Sequence, residues 1–322
     1  MQRSDLMSDI RRIIIDSDTG GDDAAALILA AKSPTVDILG VTVAAGNVPL
    51  PQAAQNALAA LELAGCDAPV YLGADRPLNG EEKECFSVYG KDGMGDADLI
   101  HPVGKPQEKP AVDFILDTVR ENPGEIEIMA LGPVTNIALA IQKDPETMKQ
   151  VKRIWSMGTA GFGPGNATPV AEFNAYKDAP AYKVMLELGV PVTVIGLDMD
   201  DEPTWTWEDR LQQMMEGSPI QRFVATSTRK LLEFKKGNGI AAVDLPDAVA
   251  MGCLVWPDFV EETTQCYASC ITQPGETYGM VIFYREGFTY DSMPKIGACN
   301  VSVVSKAKKT EFVDRLNKVF AE

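Results

Sequence analysis

The sequence predicts an α/β fold: a Rossmann-like open, mostly parallel sheet flanked by helices, with additional C-terminal helices and strands. Three observations carry that expectation. Short β-branched runs alternate with helical stretches of about 10–15 residues, the pattern of βαβ units. The composition, 45% hydrophobic and 23% charged over 322 residues, sits near the averages for soluble globular proteins and allows a sizeable core. No Pro/Ser-rich linker, internal repeat or low-complexity tract divides the chain, which favours one α/β domain over residues 1–322.

The elements follow in order. Residues 13–15, three isoleucines, read as a buried strand, and residues 23–31 (DAAALILAA) as a helix. Next come a strand at 36–43, a helix at 51–63 (PQAAQNALAALEL) and a strand at 69–72. Residues 79–109, rich in glycine and charge, read as a loop. A helix at 111–120, a strand at 126–130, a helix at 134–141 and a strand at 151–156 continue the alternation. The glycine-rich stretch 158–169 is another loop, ahead of a helix near 179–188 and a strand at 191–196. After residue 200 the pattern changes, to helices at 206–233 and 246–255, strands at 263–272, 279–284 and 299–304, and a closing helix at 308–321.

Charge and composition exclude several functions. A net charge of −17 repels phosphate backbones and anionic lipid heads, so neither nucleic acid nor membrane is the expected partner. A single histidine, His101, excludes any mechanism built on several; as a lone loop histidine it reads as a surface residue. Six cysteines are too few and scattered for a disulfide framework, there is no CxxC, and a zinc site would need mostly thiolates. Cys266 and Cys270 share a face of a strand, where free thiols pack as small hydrophobes. The N-terminal MQRSDLMSDIRR, with Asp5 and Asp9, lacks the apolar run of a signal peptide, and no stretch of about 18 uncharged apolar residues exists, so the expected location is cytoplasmic. Trp205 and Trp207 are expected to pack at a helix entry or a subunit contact.

One acidic cluster points to chemistry. The string IIIDSDTGGDDA places Asp16, Asp18, Asp22 and Asp23 within eight residues. Asp16 and Asp18 leave the strand on the same side, Gly20 and Gly21 permit a tight turn, and Asp22 and Asp23 open a helix, where the dipole favours negative charge. The carboxyl ends of strands are where open α/β sheets bind ligands. Helix capping and solvation accommodate one or two such acids. Four are harder: each pair at about 4 Å repels by roughly 4 kcal/mol at an effective dielectric near 20, against helix-end terms of about 0.3–1 kcal/mol. A bound cation is therefore expected, and an all-oxygen ligand set selects a hard ion, Ca²⁺ or Mg²⁺.

Short signals of three enzyme families meet here. Asp16-Ser-Asp18-Thr after an apolar strand is similar to haloacid-dehalogenase-type phosphatases, but that reading leaves Asp22 and Asp23 unexplained. Asp18-Thr-Gly is similar to aspartic proteases, which need a second Asp-Thr-Gly that this chain lacks. The full string Asp-x-Asp-Thr-Gly-x-Asp-Asp-Ala resembles the N-terminal fingerprint of the nucleoside hydrolases, the inosine–uridine-preferring family. Further segments resemble that family in its order: Val41-Thr-Val-Ala-Ala-Gly-Asn47, the glycine loop Tyr89-Gly-Lys-Asp-Gly-Met-Gly95, Leu131-Gly-Pro-Val-Thr-Asn136, Asn166-Ala-Thr-Pro-Val-Ala-Glu172-Phe-Asn174, and Asp247-Ala-Val-Ala-Met with Pro257. Taken singly, each has a plainer role. Thr135-Asn136 would do as a helix N-cap, Asn166 as a turn residue, Glu172 as a surface charge and Asp247 as a helix-start acid.

The resemblance implies hydrolysis of a ribonucleoside N-glycosidic bond with a Ca²⁺ cofactor. It implies Asp18, Asp23, Asp247 and the carbonyl of Leu131 as metal ligands, with Asp18 also taking the proton of the attacking water. Asp22 would hold the 2′-hydroxyl, Asn174 and Asp247 the 3′ side, and Asn166 and Glu172 the 5′-hydroxyl. Phe173 would back the ring, Asn47 would support the ribose pocket, and Asp16 would orient its neighbours. It also implies a homodimer or homotetramer. One family feature is missing: Pro246 stands where a branch of the family carries a histidine that protonates the departing base. Aromatic candidates for the base side are Phe86, Tyr89 and Phe234, and Tyr89 could donate a proton or hydrogen bond to the base. A catalytically silent relative that binds ribosides is the alternative from another class.

Overall fold

A computed structural model describes residues 10–80, 88–200, 205–206, 212–239, 242–285 and 297–322. In chain order the elements are β1 (Arg11–Ser17), α1 (Gly21–Lys32), β2 (Val36–Val43), α2 (Leu50–Ala64), β3 (Val70–Leu72), α3 (Ala111–Glu121), β4 (Glu127–Ala130), α4 (Thr135–Lys143), α5 (Pro145–Met148), β5 (Arg153–Met157), α6 (Phe173–Lys177), α7 (Ala179–Leu186) and β6 (Val192–Ile195). A 3₁₀ turn (Leu197–Asp200) leads to β7 (Trp205–Thr206), α8 (Pro219–Ser227), α9 (Arg229–Gly237), β8 (Ala242–Val243), α10 (Pro246–Val255), β9 (Val260–Cys270), β10 (Val281–Arg285), β11 (Val301–Ala307) and α11 (Lys309–Phe320).

The main sheet has nine strands in the order β3-β2-β1-β4-β5-β6-β11-β9-β10. From β3 to β11 every neighbouring pair is parallel; β9 alone opposes both its neighbours. This is the mostly parallel α/β sheet the alternation predicts. Parallel strands are covered on both faces and read as apolar runs. Ile13 and Ile15 enter the core layer that holds α1, α2 and α10, whereas Ile14 enters the opposite layer with α3, α4 and α7, as a side-chain period of two requires.

Helix α1 explains its own sequence. DAAALILAA is apolar nearly all round, and Gly21 through Ala30 are buried, because α10 and α11 cover the face that the sheet does not. At the amino end of the strands, buried Glu127 accepts from Arg11, Lys152 and the Trp155 indole N–H (2.8 Å). Burial pushes its carboxyl up, and the bonds from Arg11 and Trp155 outweigh that and hold it below the ordinary value. Arg11 also reaches the Leu254 carbonyl at 2.6 Å, fastening α10 to β1.

Expected and observed elements coincide residue for residue at 36–43 and 246–255, and elsewhere the expected elements mostly lie within a few residues of observed ones. The exception is the helix expected over 206–233. Thr206 is in a two-residue ladder with β8, residues 212–215 are helical, and the helix restarts at α8. The reason is local: Gly217-Ser218-Pro219 breaks the run, and Ser218 caps the new helix with Gln221 completing the capping box. Trp205 lies on β7, and Trp207 falls outside the described residues. Cys253, Cys266 and Cys270 are free and buried, the packing role expected of the β9 pair. No helix among the described residues is long and apolar enough to cross a membrane.

The order 3-2-1-4-5-6 contains a topological switch. The chain leaves β1 outward to β2 and β3, then returns to lay β4 on the other side of β1. The crevice beyond the carboxyl ends of β1 and β4 is where such a sheet takes a ligand.

Leu27, wholly buried in α1, is expected to lose about 2–5 kcal/mol of stability on Leu27→Ala. A denaturant midpoint unchanged from wild type would show that α1 is not packed on both sides.

A candidate active site at the head of the first strand

Asp16, Asp18, Asp22, Asp23 and Asp247 are all buried, at 5% exposure or less. The first four come from the end of β1 and the first turn of α1. Asp247 arrives from the first turn of α10, behind Pro246, which opens that helix without needing an N–H partner. Carboxylate oxygens of Asp22, Asp23 and Asp247 lie within 4.8 Å of one another. Asp18 stands outside that triplet, its Oδ2 accepting the Asn47 backbone N–H at 2.5 Å.

The fold holds each acid from a different direction. Asp16 Oδ1 accepts from Thr42 Oγ1 (2.5 Å) and Asn136 Nδ2 (2.8 Å). Asp23 Oδ1 accepts from Ser17 Oγ (2.7 Å), and its Oδ2 from the Gly20 N–H (2.9 Å) and Asn47 Nδ2 (3.3 Å). Two glycines allow the chain to close around Asp18: a Cβ on Gly46 would lie 1.9 Å from its Oδ2, and one on Gly132 2.8 Å from its Oδ1. Asp22 is hydrogen-bonded to the Tyr89 hydroxyl.

Electrostatics states the problem the cluster poses. Burial raises every one of these carboxyls, Asp16 and Asp22 to about 7 and Asp18 and Asp247 well above the usual range. The neighbouring acids push Asp18, Asp22 and Asp247 further in the same direction. Oδ1 of Asp18, Oδ1 of Asp22 and Oδ2 of Asp16 are buried without a hydrogen-bond partner. Three carboxylates within 4.8 Å of one another, one of them with an orphaned oxygen, fit a hard divalent cation, whose charge would favour the ionised form of each.

Next to the acids lies the segment between β5 and α6. Glu172 is buried rather than a surface charge; it caps α6 by accepting from the N–H groups of Asn174 (2.8 Å) and Ala175 (3.2 Å), and it also accepts from the Thr159 N–H (2.9 Å) after β5. Burial raises its carboxyl to about 7, against those three bonds. Asn174 Nδ2 donates to the Leu131 carbonyl at 2.7 Å, and the Leu131 N–H donates to Asp16 O at 2.7 Å, so this carbonyl is fixed at the head of β4 beside β1. Asn166 is exposed and its Oδ1 receives the Phe173 N–H at 2.8 Å; Phe173 and Asn47 are half-buried.

The base-side candidates separate. Tyr89 is buried against Gly20 and Gly21, facing Asp22. Phe234 is 52% exposed on α9, and Phe86 falls outside the described residues. His101 is exposed and bonded to Asp98. Thr135 and Asn136 do not cap α4, whose N-cap is Val134. Thr135 binds Asp178, and Asn136 joins Asp16 to the Val43 carbonyl and the Ala74 N–H. Sequence reasoning missed that role, and also Asn56, which donates from the middle of α2 to the carbonyls of Thr19 (2.9 Å) and Asp92 (2.8 Å). The available signal was an asparagine amid alanines and leucines, since a buried polar residue is the informative exception.

The family model described as inosine-uridine preferring nucleoside hydrolase matches residues 13–314. The chain is 36% identical over 261 residues to uridine nucleosidase 1 of Arabidopsis thaliana, covering 80% of this chain and 78% of that protein. It is 46% identical over 190 residues to an uncharacterized protein of Schizosaccharomyces pombe, a match spanning 58% of this chain and 61% of that protein. Among solved structures, the plant nucleoside hydrolase PpNRh1 superposes with a TM-score of 0.90 at 31% identity, over 97% of this chain and 99% of that one.

Two outcomes follow from the geometry. Gly46→Ala displaces the Asp18 carboxylate, so the rise in melting temperature on adding calcium should shrink while the far-ultraviolet circular dichroism is retained. The pH dependence has a definite sign. In chelated protein, carboxyls whose folded pKa is raised contribute stability that is full below about pH 4 and lost as pH rises through about 7. Cation binding displaces those protons, so the calcium-induced rise in melting temperature should be larger at pH 8 than at pH 5 by scanning calorimetry. An equal rise at both would mean the acids are already ionised.

Proposed function

The chain belongs to the inosine-uridine preferring nucleoside hydrolase family, and on that premise we propose that it hydrolyses the N-glycosidic bond of ribonucleosides to ribose and free base. The observation that carries the reading is the meeting of Asp22 and Asp23, from the start of the chain, with Asp247, from near its end, at the carboxyl edge of the sheet. Cleavage of this bond develops positive charge on the sugar, and a wall of carboxylates favours that charge.

The division of labour we assign is as follows. A calcium ion held by Asp18, Asp23, Asp247 and the Leu131 carbonyl would neutralise the acids and lower the pKa of a nearby water. Asp18, whose Oδ1 has no other partner, takes the proton of the attacking water. Asp22 Oδ1, likewise open, accepts the 2′-hydroxyl. Asn174 and Asp247 hold the 3′-hydroxyl. Asn174 is pinned to the Leu131 carbonyl, so sugar and metal ligand share one anchor. Glu172 and the exposed Asn166 take the 5′-hydroxyl, Phe173 backs the ring, and Asn47 braces Asp18 and Asp23. Asp16, clamped by Thr42 and Asn136, orients rather than reacts. That clamp also argues against the phosphatase reading, in which Asp16 would be the nucleophile, and the acidic crevice repels phosphate.

We further place the activity in the cytoplasm, in purine or pyrimidine salvage, in a homodimer or homotetramer. The similarity to a uridine nucleosidase makes uridine the first substrate to try. A reducing-sugar assay with uridine, inosine and cytidine separates an enzyme from a silent riboside-binding protein. Sugar release from any of the three is expected, and binding without release would support the silent relative.

Asp18→Ala is expected to lower kcat by about 10²–10⁴-fold in a folded protein, the usual size of a general-base contribution. Normal turnover by that variant would remove Asp18 from its role. Asp18→Asn and Asp22→Asn should divide the cluster: the first weakens the calcium-induced thermal shift, whereas the second keeps the shift and loses turnover. Exhaustive chelation should lower activity and melting temperature together, because the ion binds only the folded state.

A further inference from the structure

Tyr89 is held in a way that a free loop residue is not. Its ring lies on the Gly20-Gly21 turn, where a Cβ on either glycine would come 3.1 and 3.0 Å from ring carbons. Its carbonyl accepts the Gly95 N–H at 2.7 Å, closing the glycine loop on itself. That loop is tied down at its middle, where Asn56 joins the Asp92 carbonyl to that of Thr19, and its far end lies close on α8, where a Cβ on Gly95 would meet the Thr226 carbonyl at 2.4 Å. The phenol, 5% exposed, is hydrogen-bonded to Asp22. Asp22 therefore has a donor in place, while its Oδ1 has none.

We propose that Tyr89 is a positioning residue that sets the preference for a 2′-hydroxyl, by fixing the Asp22 carboxylate so that Oδ1 stays open as the acceptor for that group. This deepens the proposed function and rests on Asp22 as the 2′-hydroxyl's partner. A carboxylate with two free oxygens can turn about its Cβ–Cγ bond and find another donor. One oriented by a buried phenol cannot do so without losing that bond. A 2′-deoxyribose then leaves a buried acceptor unpaired, and sites built to bind a hydroxyl reject analogues that lack it for this reason. Tyr89 touches Asp22, so its effect on the sugar passes through that carboxylate.

The test is the ratio of kcat/KM for a ribonucleoside to that for its 2′-deoxy counterpart, using whichever of uridine, inosine and cytidine the wild-type protein cleaves fastest. In Tyr89→Phe, which removes only the hydroxyl, the ratio is expected to fall about ten- to a hundredfold, the size of a hydrogen bond to a charged group. A structural role alone would lower both values and leave the ratio unchanged. In an Asp22→Asn background, where binding of ribose and 2-deoxyribose is read by calorimetry, the same substitution should not move the affinity ratio further. Tyr89→His, which restores a ring donor, should keep more of the discrimination than Tyr89→Phe. Calorimetric binding of ribose and 2-deoxyribose to calcium-loaded protein gives a readout without turnover, and the two affinities should converge in Tyr89→Phe. Wild-type protein that does not discriminate removes Asp22 from the 2′-hydroxyl, and this inference with it. Discrimination in wild type that survives intact in Tyr89→Phe overturns the role of Tyr89 alone and leaves the Asp22 assignment standing.

Discussion

Burial of five carboxyl groups at the head of β1, with mutual repulsion among Asp18, Asp22, Asp23 and Asp247, is the constraint on which the rest of this structure depends. Burial and proximity both act against ionisation there, and the fold supplies the cluster with neutral donors: Thr42, Asn136, Ser17, Tyr89 and the backbone of Gly20 and Asn47. Neutral donors orient a carboxylate but do not cancel its charge. They leave one oxygen each on Asp16, Asp18 and Asp22 unsatisfied. The protein is thus built around a place for positive charge, which under the proposed function a cation would supply at rest and a sugar carbon during bond cleavage.

The α/β sheet suits that purpose because its switch point gathers chain ends that are remote in sequence. β1 brings Asp16 and Asp18, the residues after β2 bring Gly46 and Asn47, and the end of β4 brings Leu131 and Gly132. The loop beyond β5 adds Glu172 and Asn174. Close approach then becomes a matter of side-chain absence: Gly46 and Gly132 bracket Asp18 where any Cβ would strike its oxygens. Helix α10 lies against α1 and contributes the fifth acid from its first turn. The apolar packing of α1 and α10 thereby sets the distance from Asp247 to Asp22 and Asp23.

The groups proposed for the sugar and those considered for the base are held differently. Of the groups proposed for the sugar, Glu172 and Asn174 are buried and held by more than one hydrogen bond, whereas Asn166 is exposed. Of the groups considered for the base, Pro246 opens α10 with no side-chain donor, Phe234 is exposed, and the buried phenol of Tyr89 bonds to Asp22. Firm anchoring of the groups proposed for the ribose, beside looser placement of those considered for the base, suits a family whose description names two different nucleosides.

Much of this was legible in the sequence because the signals are local. The isoleucines of β1, the apolar run of α1 and four aspartates within eight residues announce a strand, a buried helix and a charged turn without reference to the rest of the chain. The family resemblance extended that reading to Leu131, Glu172, Asn174 and Asp247 by motif. Other features carry no period and no spacing. Asn136 read as a cap and proved to be the clamp on Asp16, Glu172 read equally well as a surface charge, and Tyr89 read as a base contact and lies on Asp22. A side chain's partner across a sheet depends on which strands become neighbours, and only the tertiary structure decides that, because hydrophobic periodicity fixes the face a residue occupies but not the residue it meets there. The sequence by itself determined that negative charge would gather where β1 ends; packing of α10 on α1, through contacts between segments more than two hundred residues apart, decided that Asp247 would join it.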